Sequence, residues 1–186
     1  MALTIPPGVH RVFIGIPIDE NSQQKINKLV KPMKNSSQDV RWVPASHRHL
    51  TLAFLGNKPA SVVANLIRLF DQTYQQQAHF QYNMSTLTRF PDPEGRIIAL
   101  VDDPVRPLRN LFRLTLELLQ SNNIEFDRKE FRPHITLARI KRAKCVNTDF
   151  AQRINITLNI DAIVLYQSAL TESGPVYSAL KQTRLN

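Results

Sequence analysis

Two histidines, each followed two residues later by a threonine, are the groups in this sequence best suited to chemistry. His49-Leu50-Thr51-Leu52-Ala53-Phe54 and His134-Ile135-Thr136-Leu137-Ala138-Arg139 agree at His, Thr, Leu and Ala, and lie 85 residues apart (134 minus 49). On an extended strand, residues i and i+2 share a face, so each His-Thr pair points one way and its Leu or Ile neighbours point the other. A repeat offset by almost half the chain predicts two supersecondary units related by a rough two-fold axis. The two His-Thr pairs then meet across one cleft, with Arg139 close by. Such a cleft suits a phosphodiester. One neutral imidazole takes a proton from the nucleophile, and the other, as imidazolium, gives one to the leaving oxygen. The hydroxyls of Thr51 and Thr136 hold the non-bridging oxygens, and the Arg139 guanidinium offsets charge that builds there. Neither hexapeptide contains a carboxylate, which leaves two-metal phosphoryl chemistry without obvious ligands. No metal and no cofactor is expected.

The elements that must position these groups follow from periodicity and punctuation. Strands are predicted at His10–Ile16, Arg41–Val43, Leu50–Leu55, Phe80–Leu87, Arg96–Val101 and Ile135–Ala138. One long strand is predicted at Ile154–Tyr166 and another at Val176–Leu180, around a turn at Ser173-Gly174-Pro175. Asp19 caps a helix with Ile26, Leu29 and Val30 on one face, stopped by Pro32. Pro59 opens a second helix with the stripe Val62, Val63, Leu66, Ile67 and Phe70. Leu108, Leu111, Phe112, Leu118 and Leu119 mark a third, ending near Asn122-Asn123. Helices alternate with pairs of strands, so the expected class is α+β with antiparallel sheets. Residues 1–186 are expected to form a single bilobal domain, two pseudo-symmetric lobes carrying the motifs at 49–52 and 134–137.

Composition narrows the class further. The chain has 186 residues, 42% hydrophobic and 21% charged, a globular balance rather than that of a disordered chain. A lone cysteine, Cys145, excludes an intrachain disulfide and a cysteine-rich zinc site. No signal peptide or membrane span is apparent, so a soluble, cytoplasmic protein is expected, and a monomer. Net charge is +9, and the excess is local. Arg128, Lys129, Arg132, Arg139, Lys141, Arg142 and Lys144 stand against Glu130 alone, a cluster that favours phosphate polyanions.

The twin motifs, the first strand Arg11-Val12-Phe13-Ile14-Gly15-Ile16, the run Phe131-Arg132-Pro133-His134-Ile135-Thr136-Leu137-Ala138-Arg139 and the closing segment Leu165-Tyr166-Gln167-Ser168 with Gly174, Tyr177 and Leu180 resemble the two-histidine (2H) phosphoesterase superfamily. Within it they resemble the bacterial and archaeal RNA 2′,3′-cyclic phosphodiesterases of LigT/ThpR type, also called 2′-5′ RNA ligases. The resemblance implies a bilobal α+β fold with helices packed outside two antiparallel sheets and the active-site cleft between the lobes. It implies hydrolysis of an RNA 3′-terminal 2′,3′-cyclic phosphate to a 2′-phosphate, with ligation as a side activity. By the same resemblance His49 is the proton donor to the 3′ oxygen and His134 the base. Thr51, Thr136 and Arg139 fall on phosphate-holding positions. The partner is then RNA, or an oligonucleotide, with a 2′,3′-cyclic phosphate end.

Other readings compete. One is a 2H enzyme acting on a cyclic nucleotide, a 2′-5′ oligonucleotide or an RNA 3′ tail, and another is a non-catalytic module that only grips RNA. His47, two residues before His49, carries no role in the family pattern, yet His47, His49 and His134 would suffice as ligands for an open zinc site. Trp42 and Phe54 are candidates for stacking on a base or for core packing. His10 and His79 read as structural, and Cys145 as a bystander thiol.

Overall fold

The computed structural model describes residues 5–34, 39–141, 151–171 and 174–186. Their β-branched and alternating runs form nine strands: β1 (Val9–Pro17), β2 (Val40–Trp42), β3 (His49–Pro59), β4 (Phe80–Phe90), β5 (Ile97–Val101), β6 (His134–Ile140), β7 (Gln152–Ile160), β8 (Ala162–Thr171) and β9 (Gly174–Arg184). Helices α1 (Glu20–Lys34), α2 (Ala60–Tyr74) and α3 (Arg106–Ser121) and a short 3₁₀ turn at Ala45–His47 complete the described elements.

All pairings are antiparallel, in the order β7-β4-β5-β6-β3-β1-β8-β9, with β2 against β6. The order divides into two lobes of four strands, β2 adding a fifth on the β6 side, that meet where β6 crosses β3. Their register there is a single pair, Leu50 with Ile135. These residues are the same position of the two copies. A residue paired antiparallel with its own copy must sit on the local two-fold axis, so the repeat in the sequence is a symmetry of the fold. Both side chains are fully buried, each contributing roughly 1.5–3 kcal/mol of hydrophobic stabilisation. That pins the polar faces of both strands toward the cleft, because a slip of one residue would turn His and Thr inward.

The helices cover the lobes through the stripes read from the sequence. Val63, Leu66, Phe70 and Tyr74 bury one face of α2, which packs on β9, β3 and β1. Leu108, Leu111, Leu118 and Leu119 do so for α3, which packs on β3. The buried Tyr74 hydroxyl meets Thr115 Oγ1 at 2.8 Å, and Thr115 in turn donates to the Leu111 carbonyl at 2.8 Å. The polar pair joining the two helices is thereby satisfied. Asp19 caps α1, its Oδ1 accepting from Ser22 N at 3.0 Å.

Two expectations are corrected. Pro32 lies inside α1, which runs on to Lys34. The missing N–H forfeits one bond, to the Lys28 carbonyl, and the helix ends two residues later. The long strand at Ile154–Tyr166 is two strands meeting at Asp161. β7 pairs with β4, whereas β8 pairs with β1 and β9. The chain changes lobes at that residue, and a run of strand-forming residues with no glycine or proline in it carries no trace of a change of partner.

Candidate active site

The polar faces of β3 and β6 open on one cavity of about 1450 Å³. His49, Thr51, His134, Thr136 and Arg139 all line it, so the structure brings together all five candidate residues. Strict alternation would turn Arg139 away from His134, since five residues separate them. A bulge corrects the phase. β5 pairs Ala99 with Thr136 and Ile98 with Ala138, leaving Leu137 as the extra residue. Beyond a bulge, side chains swap faces. Leu137 and Ala138 are consecutively buried and Arg139 emerges into the cleft. The first copy is bulged at the same place: β1 pairs Gly15 with Thr51 and Ile14 with Ala53, skipping Leu52. There the residue delivered to the cavity is Phe54, with the Arg11 guanidinium 5.2 Å from its ring centre.

The two imidazoles are oriented alike. His49 Nδ1 lies 2.8 Å from the carbonyl oxygen of His47, and His134 Nδ1 lies 2.9 Å from that of Arg132. A carbonyl only accepts, so Nδ1 carries the hydrogen in both rings and Nε2 is left to exchange protons. His49 sits in an aromatic nest, 4.6 Å from Phe13, 5.8 Å from Tyr166 and 5.1 Å from Tyr177 between ring centres. His134 stacks on Phe90 at 4.1 Å. Burial pushes the His49 imidazole down to about 4, against the pull of the His47 carbonyl, and the charges of His134, His47 and Arg139 act in the same direction as burial. Burial also lowers His134, helped by Arg132 and Arg139 and opposed by the Arg132 carbonyl. Both rings are therefore held below the ordinary histidine value and favour the neutral form near pH 7.

The other candidates fall as follows. His47 lines the cavity, but its contribution is its carbonyl. Among the described residues no three His, Cys, Asp or Glu side chains are placed to hold a metal ion, so His47, His49 and His134 do not form a ligand triad. Trp42 and Phe54 both line the cavity. His10 is buried with Nε2 2.9 Å from the Pro6 carbonyl, and His79 holds the Asn186 carbonyl at 2.9 Å; neither belongs to the cleft. Cys145, Arg142 and Lys144 lie outside the described residues. Sequence reasoning missed the orienting carbonyls and the rings of Phe90, Tyr166 and Tyr177. Carbonyls are blind to residue identity, so no sequence feature could have marked them. No helix among the described residues is long and apolar enough to cross a membrane.

Comparison with known proteins agrees with this geometry. The family model described as LigT-like phosphoesterase matches the chain twice, over residues 16–100 and 98–177, one match to each copy. The RNA 2′,3′-cyclic phosphodiesterase of Archaeoglobus fulgidus is 26% identical over 177 residues, covering 92% of this chain and 98% of that protein. Its counterpart in Thermotoga maritima is 26% identical over 174 residues, covering 91% and 92%. Crystal structures of E. coli LigT, in apo form and complexed with 3′-AMP, share the fold with a TM-score of 0.79 at 23% identity, over 96% of this chain and 98% and 99% of theirs.

Proposed function

This chain belongs to the LigT-like phosphoesterase family, and from that premise we propose that it hydrolyses the 2′,3′-cyclic phosphate at an RNA 3′ end to a 2′-phosphate. His49 and His134 act as its acid and base, without a metal ion. The observation that carries this reading is the pair of imidazoles flanking a two-fold crossing, each with Nδ1 tied to an equivalent carbonyl. Gripping RNA needs no such control of the tautomer, whereas proton transfer through Nε2 does.

Water attacks phosphorus while His134 Nε2 takes its proton. The bond from phosphorus to the 3′ oxygen breaks, and His49 Nε2 gives that oxygen a proton. Thr51 and Thr136 donate hydrogen bonds to the non-bridging oxygens, and Arg139 offsets the charge that grows on them. With a 5′-hydroxyl in place of water, the same proton transfers and the same cleavage of the bond to the 3′ oxygen leave a 2′-5′ diester, so joining is a side activity. The cavity, at about 1450 Å³, exceeds the roughly 300–1,000 Å³ of small-molecule pockets. That size favours an RNA end over a free cyclic nucleotide.

The test is an oligonucleotide ending in a 2′,3′-cyclic phosphate, incubated with EDTA present, followed by mapping of the monoester formed. A 2′-phosphate is expected, with His49→Ala and His134→Ala each losing at least ~100-fold in turnover. A 3′-phosphate product would overturn the assignment of the leaving group. Loss of activity in chelator would overturn the metal-free mechanism.

A further inference from the structure

The two histidines are oriented alike but supported differently. His49 is packed by three aromatic rings. The segment that supplies its carbonyl is anchored by Arg48, buried at 3% exposure, which donates to Gln23 and Asn27 of α1 at 3.1 and 2.8 Å. His134 rests on the single ring of Phe90, at the cleft lip. What steadies that ring is Arg132. Its guanidinium lies 4.9 Å from the Phe90 ring centre and donates to the carbonyl of Pro91 at 2.7 Å. Its own backbone oxygen accepts from His134 Nδ1 at 2.9 Å. One residue thus holds the imidazole from both sides, by its carbonyl at the ring edge and through Phe90 at the ring face.

We propose that Arg132 is a positioning residue for His134, closing a bracket of guanidinium, Phe90 ring and imidazole, and is not one of the cationic grips on the RNA backbone. The inference rests on His134 working as an acid–base group. The guanidinium is committed to a ring and a carbonyl. A cation held there also disfavours the imidazolium, adding to burial, which is the larger cause of the lowered proton affinity of His134. Arg139 on β6 acts on the ring in the same direction, and His49 is coupled to it across the crossing from β3. Arg41 of β2 pairs with Arg139 and lines the same cavity, and the Phe90 ring of β4 stacked on the imidazole is uncharged.

The experiment follows the histidine rings by NMR in the free protein, alongside turnover on the cyclic-phosphate oligonucleotide, for the native chain and for Arg132→Ala, Arg132→Gln and Arg132→Lys. Removing the cation in the Ala and Gln variants should raise the His134 midpoint by on the order of half a pH unit. It should also let Nε2–H compete with Nδ1–H. kcat should fall about tenfold with KM changed less than about threefold, since the loss is one of placement. The Lys variant keeps the charge, so it should restore the midpoint. It lacks the planar fork that covers Phe90 and reaches Pro91, so it should recover only part of kcat. An unchanged His134 midpoint and tautomer in the Ala and Gln variants would overturn the bracket, whether the loss then fell on KM and its salt dependence or on kcat alone. Full activity of His134→Ala would instead remove the acid–base reading and leave the NMR result standing, so the two failures are distinguishable.

Discussion

His49, the ring assigned to give up a proton, is the one whose burial most disfavours holding it. With its proton affinity pushed down to about 4, His49 is neutral in the free protein. A phosphodiester anion entering the same low-dielectric cleft raises the affinity of both rings. The proton then arrives with the substrate and is readily passed on. The pH dependence follows. In the free protein burial lowers both rings below the ordinary histidine value, so the singly protonated pair is populated on the acid side of it. The kcat/KM profile should therefore be a bell centred below 6.5, the ordinary histidine value. The kcat profile reports the complex and should be displaced toward alkaline pH. Coincident profiles, measured on the same oligonucleotide, would mean that the phosphate does not supply the missing stabilisation. The acid can be told from the base by a leaving group that needs no proton. On a nitrophenyl phosphodiester, His49→Ala should recover most of its lost rate and His134→Ala should not; the opposite pattern would exchange their roles.

Among the elements, strand faces and helix stripes were readable because burial imposes them directly. The periods of two and 3.6 place His49 with Thr51 and align Val63, Leu66 and Phe70. The delivery of Arg139 to the cleft was not readable. It depends on the extra residue Leu137, and a bulge is fixed by the partner strand's register rather than by the bulged sequence. The division of β7 from β8 at Asp161 was hidden for the same reason. Close approach between neighbours is equally silent in the sequence, and Gly15 on β1 is the instance next to the site. A Cβ there would stand 3.0 Å from the Leu50 carbonyl oxygen and 3.6 Å from His49 Cδ2. Gly15→Val should press β3 and the imidazole outward, lowering kcat by on the order of tenfold or more while the melting temperature falls only modestly. Kinetics beside a thermal melt would check this, and unchanged kcat would show that β3 absorbs the side chain without moving His49.

On the scale of the whole molecule, each lobe brings one histidine, one threonine and one orienting carbonyl, so neither lobe holds a complete site. The lobes differ where the bulges deliver Phe54 on one side and Arg139 on the other, and that difference gives a symmetric frame a direction. Under the proposed mechanism, exchanging sides would put an aromatic face where the growing phosphate charge needs a cation. The crossing at Leu50 and Ile135 has a mechanical consequence as well. A fulcrum moves least, and the two imidazoles stand one residue from it, whereas Phe126 and Arg128 line the cavity from the segment that follows α3, outside the two strands that cross. Any rocking of one lobe on the other therefore widens the grip on the nucleosides while nearly preserving the spacing of acid and base. Cyclic-phosphate substrates with bulkier bases should accordingly change KM by a larger factor than kcat, and a series in which kcat fell first would mean that the catalytic pair rides on the lever rather than at its pivot.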